Sequence, residues 1–297
     1  MKVSVLFPVY KPTLPQLVEA IDSIQNQSHD DFECLFLYDA PSDDISELLT
    51  RYSKSDSRFR VIRAGDKGLT QALNLGLDIS DGEFIARMDA DDISSPNRFA
   101  LQLKHLNDSN LDVVGGDYLV IDNSGNVVDA RLVPKGHMEI GVVMAKGVPF
   151  AHSSVMIRRQ PLIKLGLKYA INRQVVAEDY ELWTRMYTHG LKFGNVSDWV
   201  LKFRDSETSL SKRVYSSSIK SNRIISKKFI SANMGVLICA AQQLHPHKLD
   251  KINQEALAYL IFKLALCNGR FTQLSHLRKI VMKSKVIAAF ALMAEMF

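Results

Sequence analysis

Four short apolar runs, each followed by an amphipathic stretch, fill the first hundred residues, and no other feature restricts the fold as strongly. Val3 to Phe7 is a β-rich run stopped at Pro8, and Cys34 to Tyr38 is a continuous apolar segment. Arg60-Val61-Ile62 and Glu83 to Met88 supply the third and fourth runs. Between them, Thr13-Leu14-Pro15-Gln16 has the form of a capping box ahead of Leu14, Leu17, Val18, Ile21 and Ile24 at helical spacing. Ser42 is placed to cap a helix carrying Ile45, Leu48, Leu49 and Tyr52, and Leu69 to Ile79 reads as a third helix. Near-continuous apolar strands alternating with helices predict an α/β fold, a Rossmann-like and mostly parallel sheet flanked by helices. Sheets of this kind bind ligands beyond the carboxyl ends of their strands. Here those exits are Pro8-Val9-Tyr10, Asp39, the Arg63 to Gly68 loop, and Asp89-Ala90-Asp91-Asp92.

Beyond residue 110 the pattern loosens. Asp112 to Ile121 reads as a strand, Asp122 to Asn126 as a polar turn and Val127-Val128 as its return. Ser153 to Ile157 reads as another strand, and Ala177 to His189 as a helix ended by Gly190. From about Ser211 onward the chain reads as helical, with Lys and Arg on the polar faces. A length of 297 residues holds one large α/β domain, or a medium one with an appendage. The three cysteines, Cys34, Cys239 and Cys267, are widely spaced and odd in number, which suits a reducing cytoplasm better than a disulfide framework. The first residues are broken too soon by Pro8 for a signal peptide, and no apolar run approaches the roughly 20 residues that span a bilayer. A cytoplasmic location is the expectation.

Charge divides the chain. Residues 1–199 carry 21 Lys and Arg against 27 Asp and Glu, whereas residues 200–297 carry 16 against 5. Two readings of the basic tail stay open: amphipathic helices lying on an anionic membrane surface, or a solvated helical subdomain. Nucleic acid is not an expected partner, because the basic residues are not interleaved with stacking aromatics.

Two acidic clusters carry the chemistry. Asp89, Asp91 and Asp92 follow a strand directly, and a hard divalent cation takes oxygen ligands of this type. Such an ion bridges two phosphates and offsets charge developing on a leaving diphosphate. The alternative is an acidic loop in which Asp92 or Ser94 caps a helix starting near Pro96. Glu178-Asp179 opens a helix, where acidic residues suit the dipole, or where Asp179 acts as a general base with Glu178 capping or orienting it. His152 stands alone before a strand, either as a structural hydrogen-bonding residue or as a metal ligand or acceptor contact. Trp183 and Tyr187, four residues apart, are expected to face the core.

Taken in order, Pro8-Val9-Tyr10, Ser23 to Ser28, Phe32 to Asp39, Asp89-Ala90-Asp91-Asp92 and Glu178-Asp179 resemble the family 2 glycosyltransferases of the GT-A fold. Pro149 to Met156 and Ala177 to Trp183 look like the acceptor-side segments of bacterial members that build surface polysaccharide or lipopolysaccharide. The resemblance implies a GT-A domain over 1–205, with the nucleotide-sugar side in 1–110 and the acceptor side in 111–205, followed by a basic helical region over 206–297. It implies inverting transfer of a single hexose or N-acetylhexosamine from a nucleotide-sugar, most naturally a UDP-sugar, to a hydroxyl of a saccharide or lipid-linked saccharide. Pro8, Val9, Tyr10 and Asp39 would hold the base, and Lys67 and Gly68 the base or phosphates. Asp89 would face the ribose, Ala90 would belong to the donor site, and Asp91 would bind the donor and ligate Mg²⁺ or Mn²⁺, with His152 as a further candidate ligand. Asp179 would be the general base. Lipid-linked acceptors would bring the chain to the cytoplasmic face of the inner membrane.

Departures from the family pattern matter. Lys11 stands where Asn usually follows Pro-Val-Tyr, and Tyr38-Asp39-Ala40-Pro41 replaces an acidic pair followed by Gly-Ser. The Gln-x-x-Arg-Trp segment of processive synthases is missing, which argues against a polymerase. A sugar-nucleotide pyrophosphorylase would need a Gly-rich loop after the first strand, and Pro8-Val9-Tyr10-Lys11-Pro12 has no glycine. A nucleotide-sugar-binding protein without transfer is the remaining alternative.

Overall fold

The computed structural model describes residues 1–38, 42–65, 68–171, 177–205, 215–244 and 251–268. The first half alternates β1 (Val3–Val9), α1 (Leu14–Gln25), β2 (Phe32–Tyr38), α2 (Asp43–Ser55), β3 (Phe59–Arg63), α3 (Leu69–Ile79) and β4 (Phe84–Arg87). A two-residue β5 (Ile93–Ser94) and α4 (Arg98–Asp108) follow. Next come β6 (Val113–Ile121), β7 (Val127–Arg131), α5 (His137–Met144), a 3-10 turn (His152–Ser154), β8 (Met156–Arg158), α6 (Arg159–Leu165), α7 (Glu178–Thr188) and β9 (Phe193–Arg204). Three further helices are α8 (Tyr215–Ala232), α9 (Met234–Gln243) and α10 (Lys251–Asn268).

Among the described residues the strands form one sheet in the order β3-β2-β1-β4-β8-β6-β9-β5, with β7 added to β6. The β3-β2-β1-β4 half is parallel, as its alternation with helices predicts. β8 runs antiparallel to β4 and β6, while β6 and β9 pair in parallel. Alternation along β1 explains why the run looks apolar throughout. Val3, Val5 and Phe7 pack under α1, α2 and α4, whereas Leu6 joins α3, α5 and α7 on the other face. The described parts of α8, α9 and α10 share that second core.

Pro8 does not stop β1. From Phe7 onward β1 pairs with β2 alone, since its register with β4 ends at Leu6, so a residue lacking an amide donor is accommodated. Ser153 and Ser154 lie in the 3-10 turn rather than a strand. The Ser154 hydroxyl donates to the Ala151 carbonyl at 2.8 Å, a local bond that competes with strand pairing. The expected caps Thr13 and Ser42 accept from the Gln16 and Ile45 amides. The helix reaching Thr188 ends at Gly190, which takes the left-handed conformation at φ 83°. α5 escaped the sequence reading because Ile140 to Met144 are buried on every side and show no helical period. Among the described residues no single helix is long and apolar enough to cross a membrane, and α8 and α9, which pass that test only together, are bent by 87°.

Candidate active site

β4 ends at Arg87 in the middle of the sheet, and the chain leaves it as Met88-Asp89-Ala90-Asp91-Asp92 before β5 turns back to pair with β9. This places three carboxylates beyond a parallel strand end, where the α/β rule puts a ligand. Ligand oxygens of Asp89, Asp91 and Asp92 lie within 4.8 Å of one another. An all-oxygen set of that span fits a hard divalent cation. The electrostatics agree. Burial, then the Asp89 charge, pushes the Asp91 carboxyl up to about 6. Burial and the charges of Asp89 and Asp91 hold Asp92 well above the carboxylate range.

The three carboxylates are held differently. Asp92 is 1% exposed; its Oδ1 accepts from the Arg204 amide at 2.7 Å and its Oδ2 from the Ser153 hydroxyl. Asp92 therefore braces the loop and does not cap α4; the residue at that cap is Asn97, without a side-chain bond. Ser94 is likewise engaged elsewhere, accepting from Gln27 Nε2 at 3.1 Å. Asp89 is ion-paired with Arg87. Among the described residues the Asp91 carboxylate has no ion-pair partner, while its carbonyl accepts from Arg204 Nε at 2.8 Å.

Asp179 occupies the first turn of α7, far away in sequence. Its Oδ1 accepts from the Tyr180 amide at 2.7 Å. Burial, then the Glu178 charge, pushes its carboxyl up to about 6. The N-cap residue is Ala177 rather than Glu178, so Glu178 acts on Asp179 through its charge. Trp183 and Tyr187 of the same helix are buried, as their spacing predicts.

His152 Nε2 is 2.8 Å from the Tyr169 hydroxyl, and its ring meets Trp183 edge-on. Burial, then the Arg87 charge, holds the imidazole well below its ordinary value, so it is neutral. The three-carboxylate group does not include it. Tyr169 is fixed through its backbone by Asn74, which both donates to its carbonyl at 2.8 Å and accepts from its amide at 2.9 Å.

On the nucleotide side, Pro8 and Val9 close β1, and Tyr10 beyond them is 60% exposed. The Lys11 ammonium stands 5.5 Å from the Tyr10 ring centroid, and Lys11 takes the left-handed conformation at φ 48°. A non-glycine residue seldom takes that conformation, and Asn enters it more readily than Lys. Gly68 is the N-cap residue of α3, and Ala90 is buried in the loop. Asp39 and Lys67 lie outside the described residues.

The sequence reading missed Arg87, Tyr169, Ser153 and Arg204. Arg87 had a visible signal, a lone cation at the end of an apolar strand next to an acidic cluster. Its side chain is buried, and its charge acts on Asp91, His152, Tyr169 and Asp179. The other three are ordinary residues whose partners are distant in sequence.

Sheet order and acidic loop together are those of a GT-A glycosyltransferase. TarS from S. aureus, residues 1–349, superposes with a TM-score of 0.56 at 16% identity, covering 93% of this chain and 74% of that one. TarS in complex with UDP-GlcNAc gives 0.57 at 15% identity, over 89% and 80%. The mannosyltransferase PcManGT from Pyrobaculum calidifontis, in complex with GDP-Man and Mn²⁺, gives 0.55 at 17% identity, over 91% and 87%. Residues 4–166 match the family described as Glycosyl transferase family 2, and the chain belongs to that family. Named relatives include the glycosyltransferase EpsE of Bacillus subtilis, 33% identical over 73% of this chain and 78% of its own length. The amylovoran biosynthesis glycosyltransferase AmsE of Erwinia amylovora is 30% identical over 71% and 79%. The O-antigen biosynthesis glycosyltransferase WbnJ of Escherichia coli is 28% identical over 65% and 76%.

Proposed function

We propose that this glycosyltransferase moves one hexose or N-acetylhexosamine, with inversion, from a UDP-sugar to a hydroxyl of a saccharide or lipid-linked saccharide in bacterial surface polysaccharide synthesis. The observation that carries this reading is the convergence of two acidic centres on Arg87, whose charge acts on both Asp91 and Asp179. Asp91 is assigned as the metal ligand, because Asp92 is spent on Arg204 and Ser153 and Asp89 is paired with Arg87. A divalent cation, Mg²⁺ or Mn²⁺, bound there supplies positive charge opposite the leaving diphosphate. Asp179 takes the proton of the acceptor hydroxyl, and its raised pKa of about 6 is closer to neutral pH than that of an ordinary carboxylate.

Pro8, Val9, Tyr10 and Asp39 hold the uracil, Lys67 and Gly68 the base or phosphates, and Asp89 the ribose, with Ala90 beside it in the donor site. With Nε2 engaged by Tyr169, His152 offers only Nδ1 as a further ligand or acceptor contact. Residues 1–205 form the transferase domain and 206–297 a basic region that brings it to the cytoplasmic face of the inner membrane. Relatives named for amylovoran and O-antigen synthesis support the acceptor class, and the UDP-GlcNAc and Mn²⁺ complexes of structural neighbours support the donor and metal.

The test is a donor panel read by released UDP, GDP or dTDP, for wild type and Asp91→Ala, in EDTA and with Mn²⁺. UDP release restored by Mn²⁺ and absent in Asp91→Ala is expected, with inverted anomeric configuration by proton NMR of the product. Full turnover of Asp91→Ala in EDTA, or tighter binding of GDP than UDP by calorimetry, would sink the reading.

A further inference from the structure

Arg204 is the last residue of β9 and is 2% exposed. Its side chain ties together three segments that are far apart in the chain. Nε donates to the Asp91 carbonyl at 2.8 Å. Nη1 donates to the carbonyls of Asp122 at 2.9 Å and Asn123 at 3.1 Å, in the turn between β6 and β7. Nη2 donates to Glu19 Oε2 of α1 at 2.6 Å. The Arg204 amide adds a fifth bond, to Asp92 Oδ1 at 2.7 Å. One residue thus holds both the main chain of Asp91 and the side chain of Asp92.

The turn it anchors to is itself ordered. Asp122 Oδ1 accepts from the amides of Ser124 at 2.8 Å and Asn126 at 2.9 Å, an Asx-type turn. The other end of the brace is equally fixed, because β5 pairs with β9 through Ile93↔Lys202 and Ser94↔Leu201. Holding the oxygens of Asp89, Asp91 and Asp92 within 4.8 Å of one another takes a loop whose backbone is fixed. A planar guanidinium serves several fixed acceptors at once, which a single ammonium does not.

We propose that Arg204 is the positioning residue of the acidic loop, presetting the Asp91 carboxylate for a divalent cation by clamping the loop backbone to the β6–β7 turn and α1. This rests on the reading of Asp91 as the metal ligand. Groups that orient a metal ligand from behind typically carry about 10–100-fold of metal affinity. The clamp acts on the metal and not on the nucleobase, whose proposed contacts Pro8, Val9 and Tyr10 lie at and just beyond the end of β1.

The experiment compares wild type, Arg204→Met, Arg204→Lys, Asp91→Ala and Lys135→Met. Mn²⁺ binding in the presence of UDP is followed by electron paramagnetic resonance, UDP binding without metal by calorimetry, and folding by thermal melting. Lys135 is the control for a lost structural anchor away from the loop, since its Nζ pairs with Asp117 and donates to the Val196 carbonyl at 3.0 Å. Arg204→Met is expected to bind Mn²⁺ about 10–100-fold more weakly with metal-free UDP affinity unchanged. Arg204→Lys should fall between it and wild type, and Lys135→Met should melt earlier with unchanged Mn²⁺ affinity. Wild-type Mn²⁺ affinity in Arg204→Met, alongside its loss in Asp91→Ala, overturns the role of Arg204. If Arg204→Met does not fold, wild-type affinity in Arg204→Lys overturns it equally. Wild-type Mn²⁺ affinity in Asp91→Ala instead overturns the ligand assignment, and the clamp with it.

Discussion

Asp91 and Asp92 are adjacent in sequence and differ in employment. Both oxygens of Asp92 are hydrogen-bonded inside the protein, whereas Asp91 is tethered by its carbonyl, and its carboxylate is the proposed metal ligand. The acidic string was legible; which acid does what was not, because the answer depends on Ser153 and Arg204. Asp179 shows the same limit, since its role turns on burial. Its folded pKa of about 6 lies above the ordinary carboxylate value, so the folded protein binds this proton more tightly than the unfolded chain. The stability linked to it is complete below the unfolded value near 4 and is lost as pH rises through about 6. Asp179→Asn, which preserves the acceptor for the Tyr180 amide, is therefore expected to melt higher than wild type at pH 7.5. The same change should lower kcat by about 10²–10⁴-fold with UDP affinity nearly unchanged. At saturating Mn²⁺, wild-type kcat/KM should fall as pH drops below about 6, where the base is protonated. Near-normal turnover of Asp179→Asn would move the base to another residue.

At the scale of elements, α7 carries the proposed base and is seated by its neighbours. Gly141 of α5 is so close to Tyr187 of α7 that a Cβ there would collide with the phenol oxygen, which is buried and has no hydrogen-bond partner among the described residues. Asn233, between α8 and α9, donates to the Thr188 hydroxyl at 2.8 Å, and the Ser226 hydroxyl of α8 donates to the Ala145 carbonyl. Gly141→Ala should cost about 1–3 kcal/mol by overpacking. Tyr187→Phe should be nearly neutral alone, because it removes an unsatisfied hydroxyl, and should recover only part of the loss in the double variant, since the ring carbon Cζ would still lie 2.6 Å from the added Cβ. Denaturant unfolding of the four proteins tests this. Strictly additive losses would show that the phenol oxygen is not what an added Cβ at Gly141 meets. The periods of α1, α2, α3 and α7 were readable because each has one wet face, while α5, buried at every position from Ile140 to Met144, left no trace.

Across the whole molecule, the charge asymmetry acquires a surface. Lys220, Arg223, Lys227 and Lys228 are exposed along α8, Ile224 is 46% exposed between them, and Val236 of α9 is 51% exposed. Cations interleaved with exposed aliphatics suit an anionic lipid surface. The full chain should co-sediment with anionic vesicles, be released by salt, and lose the interaction in Lys227→Glu/Lys228→Glu. Equal sedimentation with neutral vesicles would refute a charge-driven contact.

Sequence alone determined what local physics controls. Side chains alternating across strands buried on both faces, helical periods and capping residues placed the parallel half of the sheet, and with it the exits where Tyr10 and Asp91 stand. Tertiary structure decided the rest. The antiparallel insertion of β8, the neutral state of His152 and the clamp of Arg204 depend on groups tens to more than a hundred residues apart, and the raised pKa of Asp179 depends first on its burial. Burial and electrostatic fields are properties of the packed molecule, and a linear string of residues carries neither until the chain has folded.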